Sequence, residues 1–247
     1  MKVLVCISKV PDTTTKIAFT DGDSKFNAEG VTFIMNPTDE WYALVRAIEV
    51  KEATGGSVTV VHVGDASSDQ IIRKALAIGA DNAVRIDAVD SDAGYVAAQI
   101  ASYAKDQGFD MIITGKETID YNGSVLGGFI AEHLDLPYIS LATKLDLNGA
   151  TATIEREIEG GKETVEVNTP FVMSANKGLA EQRIPNMRGI MMARKKPLET
   201  RPADDSIQPM TAVQKYTLPP ARSECKLVSP DNVAELVRLL REEAKAF

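Results

Sequence analysis

The chain has 247 residues, of which 44% are hydrophobic and 25% are charged, and its formal net charge is −8. This length favours one core domain with an appendage, and the composition is typical of a globular protein. Because an acidic chain repels phosphate groups, nucleic acids and anionic membrane surfaces are poor candidate partners. With only two cysteines there is no disulfide framework, so we expect a reducing compartment such as the bacterial cytoplasm or the mitochondrial matrix.

The amino-terminal sequence MKVLVCISKV contains a short apolar run that soon turns polar. We expect it to form a strand and not a signal peptide. No apolar stretch approaches the roughly 20 residues that a membrane-spanning helix requires, so no membrane insertion is expected.

Buried strands and amphipathic helices are predicted to alternate along the first half of the chain. Apolar and β-branched runs predict strands at 3–7, 57–63, 83–86 and 109–114, and polar residues at 21–27 predict a loop or hairpin. The helices are predicted from their caps: Thr38 or Asp39 for the first, a capping box of Ser67 and Gln70 for the second, Ser91 or Asp92 for the third, and residues 123–134 for the fourth. This alternation predicts a doubly wound, mostly parallel α/β domain of the adenine-nucleotide-binding type over residues 1–190.

The region after Pro137 shows a different pattern. Short alternating strands are predicted at 143–147, 151–158 and 164–168, with hairpin turns at Asn148-Gly149 and Gly160-Gly161. A further buried strand is predicted at 171–175. The domain is therefore expected to carry a hairpin insertion.

Prolines dominate the carboxyl-terminal part, where seven of the eleven lie between Pro185 and Pro230. That density predicts an extended arm without regular structure over 197–220. Ser229 as a cap and Pro230 at the first helical position predict a final helix with one apolar face. We assign residues 191–247 to a basic stretch, the arm and this helix, separate from the α/β domain.

Ligands of open parallel sheets bind at the carboxyl ends of the strands. The segment after the fourth predicted strand, residues 115–127, leads into a helix and contains the small residues Gly123 and Ser124. Such a loop can present backbone N–H groups to a phosphate. No Walker or GxGxxG motif is present, and His62, His133 and Cys6 are expected to be structural, so no catalytic residue is predicted.

A basic segment stands out in this acidic chain. Residues 177–201 contain seven basic residues against two glutamates, a net +5, interleaved with Met187, Ile190, Met191 and Met192. An adaptable apolar surface surrounded by positive charge suits docking of acidic protein partners.

The chain resembles the beta subunit of electron transfer flavoprotein over nearly its whole length. The most specific match is IEREIEGGKETVEVNTPFVMSA at residues 154–175, which contains the family's basic residue, acidic-Gly-Gly turn and proline before an apolar strand; Ser174 is a small departure. The segments MNPTDEW, RKALAIGAD, GKETIDYNGS and NMRGIMMARKKPL are also similar to the family.

This resemblance implies an electron-carrier subunit without catalytic turnover. It would form a heterodimer with an alpha subunit that holds most of the redox FAD, and its carboxyl-terminal arm and helix would pack on that subunit. The heterodimer would accept electrons from flavin dehydrogenases, such as acyl-CoA dehydrogenases, and pass them to a quinone oxidoreductase.

The resemblance also implies a structural AMP and a docking loop. Arg183 matches an arginine before that loop, Met187 stands at the family's apolar anchor, and Ile190 and Met191 follow it. The implied AMP contacts are Cys6, Asn36, Pro37, Thr38, Asp39, Val63, Gly115, Lys116, Glu117, Thr118, Ile119, Asp120, Tyr121, Asn122, Gly123, Ser124, Val125 and Leu126.

Two alternatives remain open at this point. Some family members bind a second FAD in place of AMP, but Val125 and Gly128 differ from the residues frequent there. A stand-alone nucleotide-binding protein similar to the universal stress family is the other alternative. Its phosphate loop requires Gly-x-x-Gly, whereas here Thr118 stands three residues after Gly115.

Overall fold

Strands and helices alternate along the chain in the computed structural model, which describes residues 1–88, 92–222 and 224–247. The strands are β1 (Lys2–Cys6), β2 (Lys9–Pro11), β3 (Phe19–Thr20), β4 (Lys25–Phe26), β5 (Phe33–Met35), β6 (Ser57–Val63), β7 (Asn82–Asp87), β8 (Met111–Gly115), β9 (Tyr138–Asn148), β10 (Thr151–Ile158), β11 (Gly161–Asn168), β12 (Phe171–Ala175) and β13 (Leu198–Pro202). The helices are α1 (Asp39–Thr54), α2 (Asp69–Ile78), α3 (Ala93–Ala104), α4 (Leu126–Leu134), α5 (Met187–Ala193) and α6 (Val233–Glu242).

Nine strands form one sheet in the order β11-β10-β9-β12-β8-β1-β6-β7-β13. Every neighbouring pair in the series β9-β12-β8-β1-β6-β7-β13 is parallel. At the other end of the sheet, β10 pairs antiparallel with both β9 and β11. The prediction of a doubly wound, mostly parallel sheet with a hairpin insertion is therefore confirmed.

Both faces of β1 are buried, and each face meets a different pair of helices. Val3 and Val5 pack in one apolar cluster with residues of α1 and α2. Leu4 and Cys6 pack in a second cluster with residues of α3 and α4. Two helices on each face explain why the strand is a continuous apolar run and not an alternating one.

The strand order reverses between β1 and β8. From β1 the chain adds β6 and then β7 on one side, and it then crosses to add β8 on the other side. The connections after β1 and β8 therefore leave the sheet in opposite directions. This opens a crevice at the carboxyl ends of the two strands, which is where open α/β sheets bind ligands.

Several predicted helix starts are wrong by a few residues. The capping box at Ser67 does not form, because the Asp65 carboxylate accepts the Ser67 N–H in a 3₁₀ turn and α2 begins at Asp69. The fourth helix begins at Leu126 and not at 123, since Ser124 has a φ of 54°. Asn232, and not Ser229, caps the last helix by accepting the Glu235 N–H.

The other two predicted caps have mixed outcomes. Asp92 caps α3 by accepting the Tyr95 N–H, whereas Ser91 lies outside the described residues. Thr38 occupies the capping position of α1, but its side chain makes no capping hydrogen bond and its φ is 65°. A positive φ is rare for a β-branched residue and is found mainly where the surrounding structure imposes it.

The arm contains one strand that the proline density led us to exclude. Residues 198–202 form β13, which pairs in parallel with β7 from Leu198–Ala83 to Pro202–Asp87. This pairing is possible because β13 is an edge strand and Pro202 is its last residue, so no N–H is needed there for a further neighbour. Residues 203–220 contain no helix or strand, as predicted. The assignment of residues 191–247 as a separate, partner-binding part stays a prediction.

Candidate functional site

The predicted nucleotide contacts lie together at the carboxyl edge of the sheet. Cys6 is the last residue of β1, Val63 of β6 and Gly115 of β8, three strands that are neighbours in the sheet. The segment 36–39 joins β5 to the amino end of α1, and its Asn36 N–H donates to the Ser8 carbonyl at 3.0 Å. The fold therefore places the four segments around the crevice between β1 and β8.

Asn36 holds the loop after β8 against the end of β1. Its side chain is fully buried, with Nδ2 donating to the Glu117 carbonyl at 2.9 Å and Oδ1 accepting the Ile119 N–H at 3.1 Å. Together with its backbone bond to Ser8, these bonds join two strand ends through one residue. A buried amide with paired donor and acceptor gives the loop a single position.

A buried carboxyl group, Glu40, lies beside Asn36 at the start of α1. Glu40 is 3% exposed, and its Oε2 accepts the Ser8 N–H at 2.6 Å. Burial raises the pKa of Glu40 to about 8, because the bonds to Ser8 oppose the loss of hydration only in part and the carboxylates of Asp120 and Asp39 raise it further. The sequence does not reveal this group, since an acidic residue in the first turn of a helix is normally solvent-exposed.

Gly115 allows β8 and α1 to approach each other. A Cβ atom at this position would lie 2.8 Å from Glu40 Cγ and 3.1 Å from the Glu40 backbone nitrogen. Any larger residue would separate the loop from the first turn of α1. The floor of the crevice therefore depends on glycine at the end of β8.

Cys6 and His62, the candidate nucleophile and base at this edge, are both buried, as predicted. Burial raises the pKa of the Cys6 thiol, and Glu40 adds to the effect, so the thiol stays protonated. His62 is buried with Nδ1 2.9 Å from the Ile7 carbonyl oxygen, and burial lowers its pKa.

The loop between β8 and α4 is ordered by its own hydrogen bonds. Glu117 pairs with the Lys116 ammonium at 3.0 Å and accepts the Ser124 hydroxyl at 2.9 Å. The pKa of Glu117 is lowered by its hydrogen bonds with Lys116 and Ser124. The Asn122 N–H donates to the Thr118 carbonyl at 2.9 Å. These bonds stabilise the turn from within the chain.

The amino end of α4 faces an open part of this loop. Val125 at the capping position makes no side-chain hydrogen bond to the first turn, and the first N–H groups of a helix have no partner within it. A Cβ atom on the exposed Gly123 would meet only Val125 Cγ2, at 3.9 Å. Unpaired N–H groups beside open space fit the phosphate of a nucleotide.

The predicted docking residues lie on a second surface, carried by α5. Asn186 caps this helix by accepting the Gly189 N–H at 2.8 Å. A Cβ on Gly189 would lie 2.5 Å from the Ala77 carbonyl oxygen, so α5 packs closely on α2 through its small residues. The apolar side chains that point outward are Ile184, Met187, Ile190, Met191 and Met192, which we call the methionine surface.

Two basic side chains fix α5 on α2. Each extends from one helix or its end to the carboxyl end of the other helix. Arg73 of α2 donates to the Ala193 and Lys196 carbonyls at 2.8 and 2.7 Å. Lys196, just after α5, donates to the Leu76 and Ala80 carbonyls at 2.9 and 2.6 Å. Positive charge at the carboxyl end of a helix is stabilising. The methionine surface is therefore presented by a fixed helix and not by a loose loop.

Arg183 is already paired within the chain. Its guanidinium binds both carboxylate oxygens of Glu52 in α1, at 2.8 and 2.9 Å, and its carbonyl accepts the Trp41 indole N–H at 3.2 Å. These contacts anchor the segment that precedes α5. A direct role for Arg183 in docking stays a prediction.

Comparison with known proteins gives the family. A sequence model described as "Electron transfer flavoprotein domain" matches residues 24–206. The protein named "Electron transfer flavoprotein subunit beta" from Bacillus subtilis (strain 168) is 38% identical over 260 aligned positions that cover 100% of both chains. The chain belongs to the electron transfer flavoprotein family, as a beta subunit.

More distant relatives carry the same name. The protein from Syntrophomonas wolfei is 35% identical and the match covers 90% of this chain and 88% of the relative. The protein from Bradyrhizobium diazoefficiens is 33% identical with 99% of both chains covered. Membership places the chain among flavoproteins of electron transport, as its sequence motifs predicted.

Two further observations concern groups outside these surfaces. Within the described ranges, no cluster of three or more His, Cys, Asp or Glu residues is arranged to hold a metal ion. None of the helices in those ranges is both long and apolar enough to cross a bilayer.

Glu40→Gln should remove a pH dependence of stability that belongs to the buried carboxyl group. The folded-state pKa of about 8 lies above the ordinary value of 4.5, so the stabilisation is fully present below pH 4.5 and is lost as the pH rises through 8. Between about pH 5 and 9 the free energy of unfolding of the wild type should fall, relative to the variant, by on the order of 4 kcal/mol. Urea denaturation at a series of pH values measures this difference.

The matched control is Glu132→Gln, which removes an exposed carboxyl group from α4. Its stability profile should follow that of the wild type. A difference between wild type and Glu40→Gln that stays constant over the whole pH range would contradict the assignment.

Proposed function

We propose that this chain is the beta subunit of a heterodimeric electron transfer flavoprotein that carries electrons and has no catalytic turnover of its own. The carrying observation is family membership over the whole chain. FAD, held mainly by the alpha subunit, supplies the redox chemistry when bound, and this chain helps to enclose it. The relatives are bacterial, which favours the bacterial cytoplasm as its location.

The crevice between β1 and β8 is the proposed site of a structural AMP. The amino end of α4, with Gly123 and Ser124 before it, would bind the phosphate through backbone N–H groups. Asn36 would keep the loop in its binding position, and Cys6 and Val63 would provide the apolar floor. Support comes from the order of the loop, the closeness of the four predicted segments and the open space at Gly123.

The methionine surface is the proposed docking site for flavin dehydrogenases, and a quinone oxidoreductase is the proposed electron acceptor. Met187 is 74% exposed and Met191 is 68% exposed, on a helix fixed by Arg73 and Lys196. Methionine side chains adapt to partners of different shape, and the surrounding positive charge speeds association with acidic surfaces. The surface thus combines a rigid support with an adaptable contact.

No specific observation favours the stand-alone nucleotide-binding protein. A whole-chain match to beta subunits and an apolar face on the last helix both support a chain that binds a partner. Val233 and Leu236 of α6 are 64% and 43% exposed. An apolar helix face of this kind normally covers another surface.

The composition of the purified protein tests the proposed function. Expressed alone, the chain should be colourless and should release one equivalent of AMP on acid extraction, because the flavin site needs the alpha subunit. Co-expressed with its cognate alpha subunit, it should purify as a yellow heterodimer with one FAD and one AMP. Chromatography of the extracted nucleotides gives both ratios.

Two outcomes would contradict parts of this proposal. Two FAD per heterodimer and no AMP would replace the AMP assignment by a second flavin. A nucleotide-binding monomer that does not bind the alpha subunit would refute the subunit assignment.

A charge placed at Gly123 tests the phosphate position. Gly123→Asp adds a carboxylate next to the amino end of α4, whereas Gly123→Asn adds a side chain of the same size without charge. We expect the affinity for AMP to fall at least about tenfold more in the Asp variant, because like charges repel at short range. Isothermal titration with AMP measures both affinities. Equal affinities in the two variants would place the phosphate elsewhere.

Shortening the apolar anchor tests the docking surface. Met187→Ala should lower the apparent affinity for an electron-donating dehydrogenase about tenfold, since an exposed anchor that becomes buried on binding contributes strongly. The FAD and AMP content should not change, because Met187 contacts solvent. Steady-state electron transfer as a function of the concentration of heterodimer measures the effect. Ile158→Ala, which shortens an exposed apolar side chain of the hairpin insertion, is the control. Loss of flavin in Met187→Ala would show that the side chain has a structural role.

A further inference from the structure

A segment of the proline-rich arm is held at two points on the carboxyl edge of the sheet. The arm first runs beside α3, where Gln99 and Asp204 exchange hydrogen bonds of 3.0 and 2.8 Å through the Gln99 amide and the Asp204 backbone. It then continues through residues 210–216 without regular structure. Since this segment has no helix or sheet to stabilise it, its position depends on its contacts with the domain.

The first point is the cap of α3. The Asp92 carboxylate accepts the Tyr95 N–H through Oδ1 at 2.8 Å. Through Oδ2 it accepts the N–H groups of Met210 and Thr211, at 2.6 and 2.9 Å. One carboxylate therefore caps the helix and holds the arm at the same time.

The second point is Tyr216. Its ring stacks on Phe19 of β3, with centroids 4.7 Å apart and planes inclined by 7°. Its N–H donates to the Asp23 carbonyl at 2.8 Å, and its hydroxyl lies 3.2 Å from the hydroxyl of Tyr121 in the loop before α4. Within residues 211–220, Tyr216 is the residue whose surface is partly covered, while the others are exposed. The arm is thus held here mainly by Tyr216, and the Lys215 ammonium lies 3.8 Å from the Asp23 carboxylate beside it.

The two points lie on opposite sides of the proposed nucleotide crevice. Asp92 begins the helix that follows β7, and Tyr121 belongs to the loop that follows β8. The ends of β1 and β6 lie between the ends of β8 and β7, which are three strand spacings apart, about 14 Å. Six residues of extended chain reach about 20 Å, which is enough to pass over these strand ends.

We propose that residues 210–216 form a strap across the nucleotide crevice and that Tyr216 is the positioning residue that keeps the strap closed. The strap retains the nucleotide by tying the β3–β4 hairpin to the loop that binds the phosphate. Release of AMP then requires the Tyr216 ring to leave Phe19 and its hydroxyl to leave Tyr121. This inference rests on the proposed nucleotide site.

Dissociation of radiolabelled AMP from the heterodimer, chased with an excess of unlabelled AMP, tests the strap. Tyr216→Ala should release AMP at least about tenfold faster than the wild type, because both contacts are lost. Tyr216→Phe keeps the stacked ring and loses only the hydroxyl contact, so a smaller acceleration of about twofold to threefold is expected. Leu218→Ala changes an exposed residue beyond the strap and should release AMP at the wild-type rate.

Hydrogen exchange of the backbone amides gives a second readout that does not depend on AMP. Tyr216→Ala should speed exchange in residues 210–216 in the nucleotide-free protein, whereas Tyr216→Phe should change it little. Unchanged exchange would refute the positioning role of Tyr216. Faster exchange with an unchanged rate of AMP release would refute the strap as a barrier. Absence of AMP binding by the wild type would refute the proposed nucleotide site itself, and it is recognised without any variant.

Discussion

The parallel pairing of β1 with both β6 and β8 is the interaction on which the rest of the structure depends. It places the first strand at the centre of the sheet, although at least fifty residues of chain separate it from each of these neighbours. The order of strands must then reverse beside β1, which opens the crevice. The residues around the crevice are held there by Asn36 and Glu40, which bond to the end of β1 from the start of α1. The start of α1 therefore joins the end of β1 to the loop after β8.

Glycine has a different structural role at the crevice and at the methionine surface. At the crevice, glycine at position 115 brings a strand close to a helix and makes a rigid floor. At α5, Gly189 brings one helix close to another, and this directs the larger Met187 and Met191 side chains outward. Lys196 of the basic segment and Arg73 of α2 cap helix ends, so neither is available to steer partners. The positive charge that remains for partners comes from the exposed basic residues around them.

The carboxyl-terminal arm is an example of how irregular chain acquires a fixed course. Several parts of it bond to the domain through their backbone groups: β13 to β7, Asp204 to Gln99, and residues 210 and 211 to Asp92. Proline has no backbone N–H group, and it is compatible with these contacts because each of them needs few N–H donors from the arm. The arm is thus bound by side chains and strand edges of the domain. Among the described residues of its last helix, Val233, Leu236 and Val237 are exposed apolar side chains.

The sequence by itself determined the alternation of strands and helices, the hairpin insertion, the class of sheet and the segments of the crevice. These features are local, since apolar periodicity and Gly or Pro positions record which face of each element is buried. Helix starts were predicted with errors of a few residues: the Ser67 N–H donates to the Asp65 carboxylate, so the predicted capping box does not form. Only the tertiary structure decided that β13 joins the sheet, that Glu40 is buried with a raised pKa and that Tyr216 meets Tyr121 ninety-five residues away. Those outcomes depend on contacts between segments that are distant in the sequence. The pattern of neighbouring residues does not indicate which distant group will lie against a given side chain.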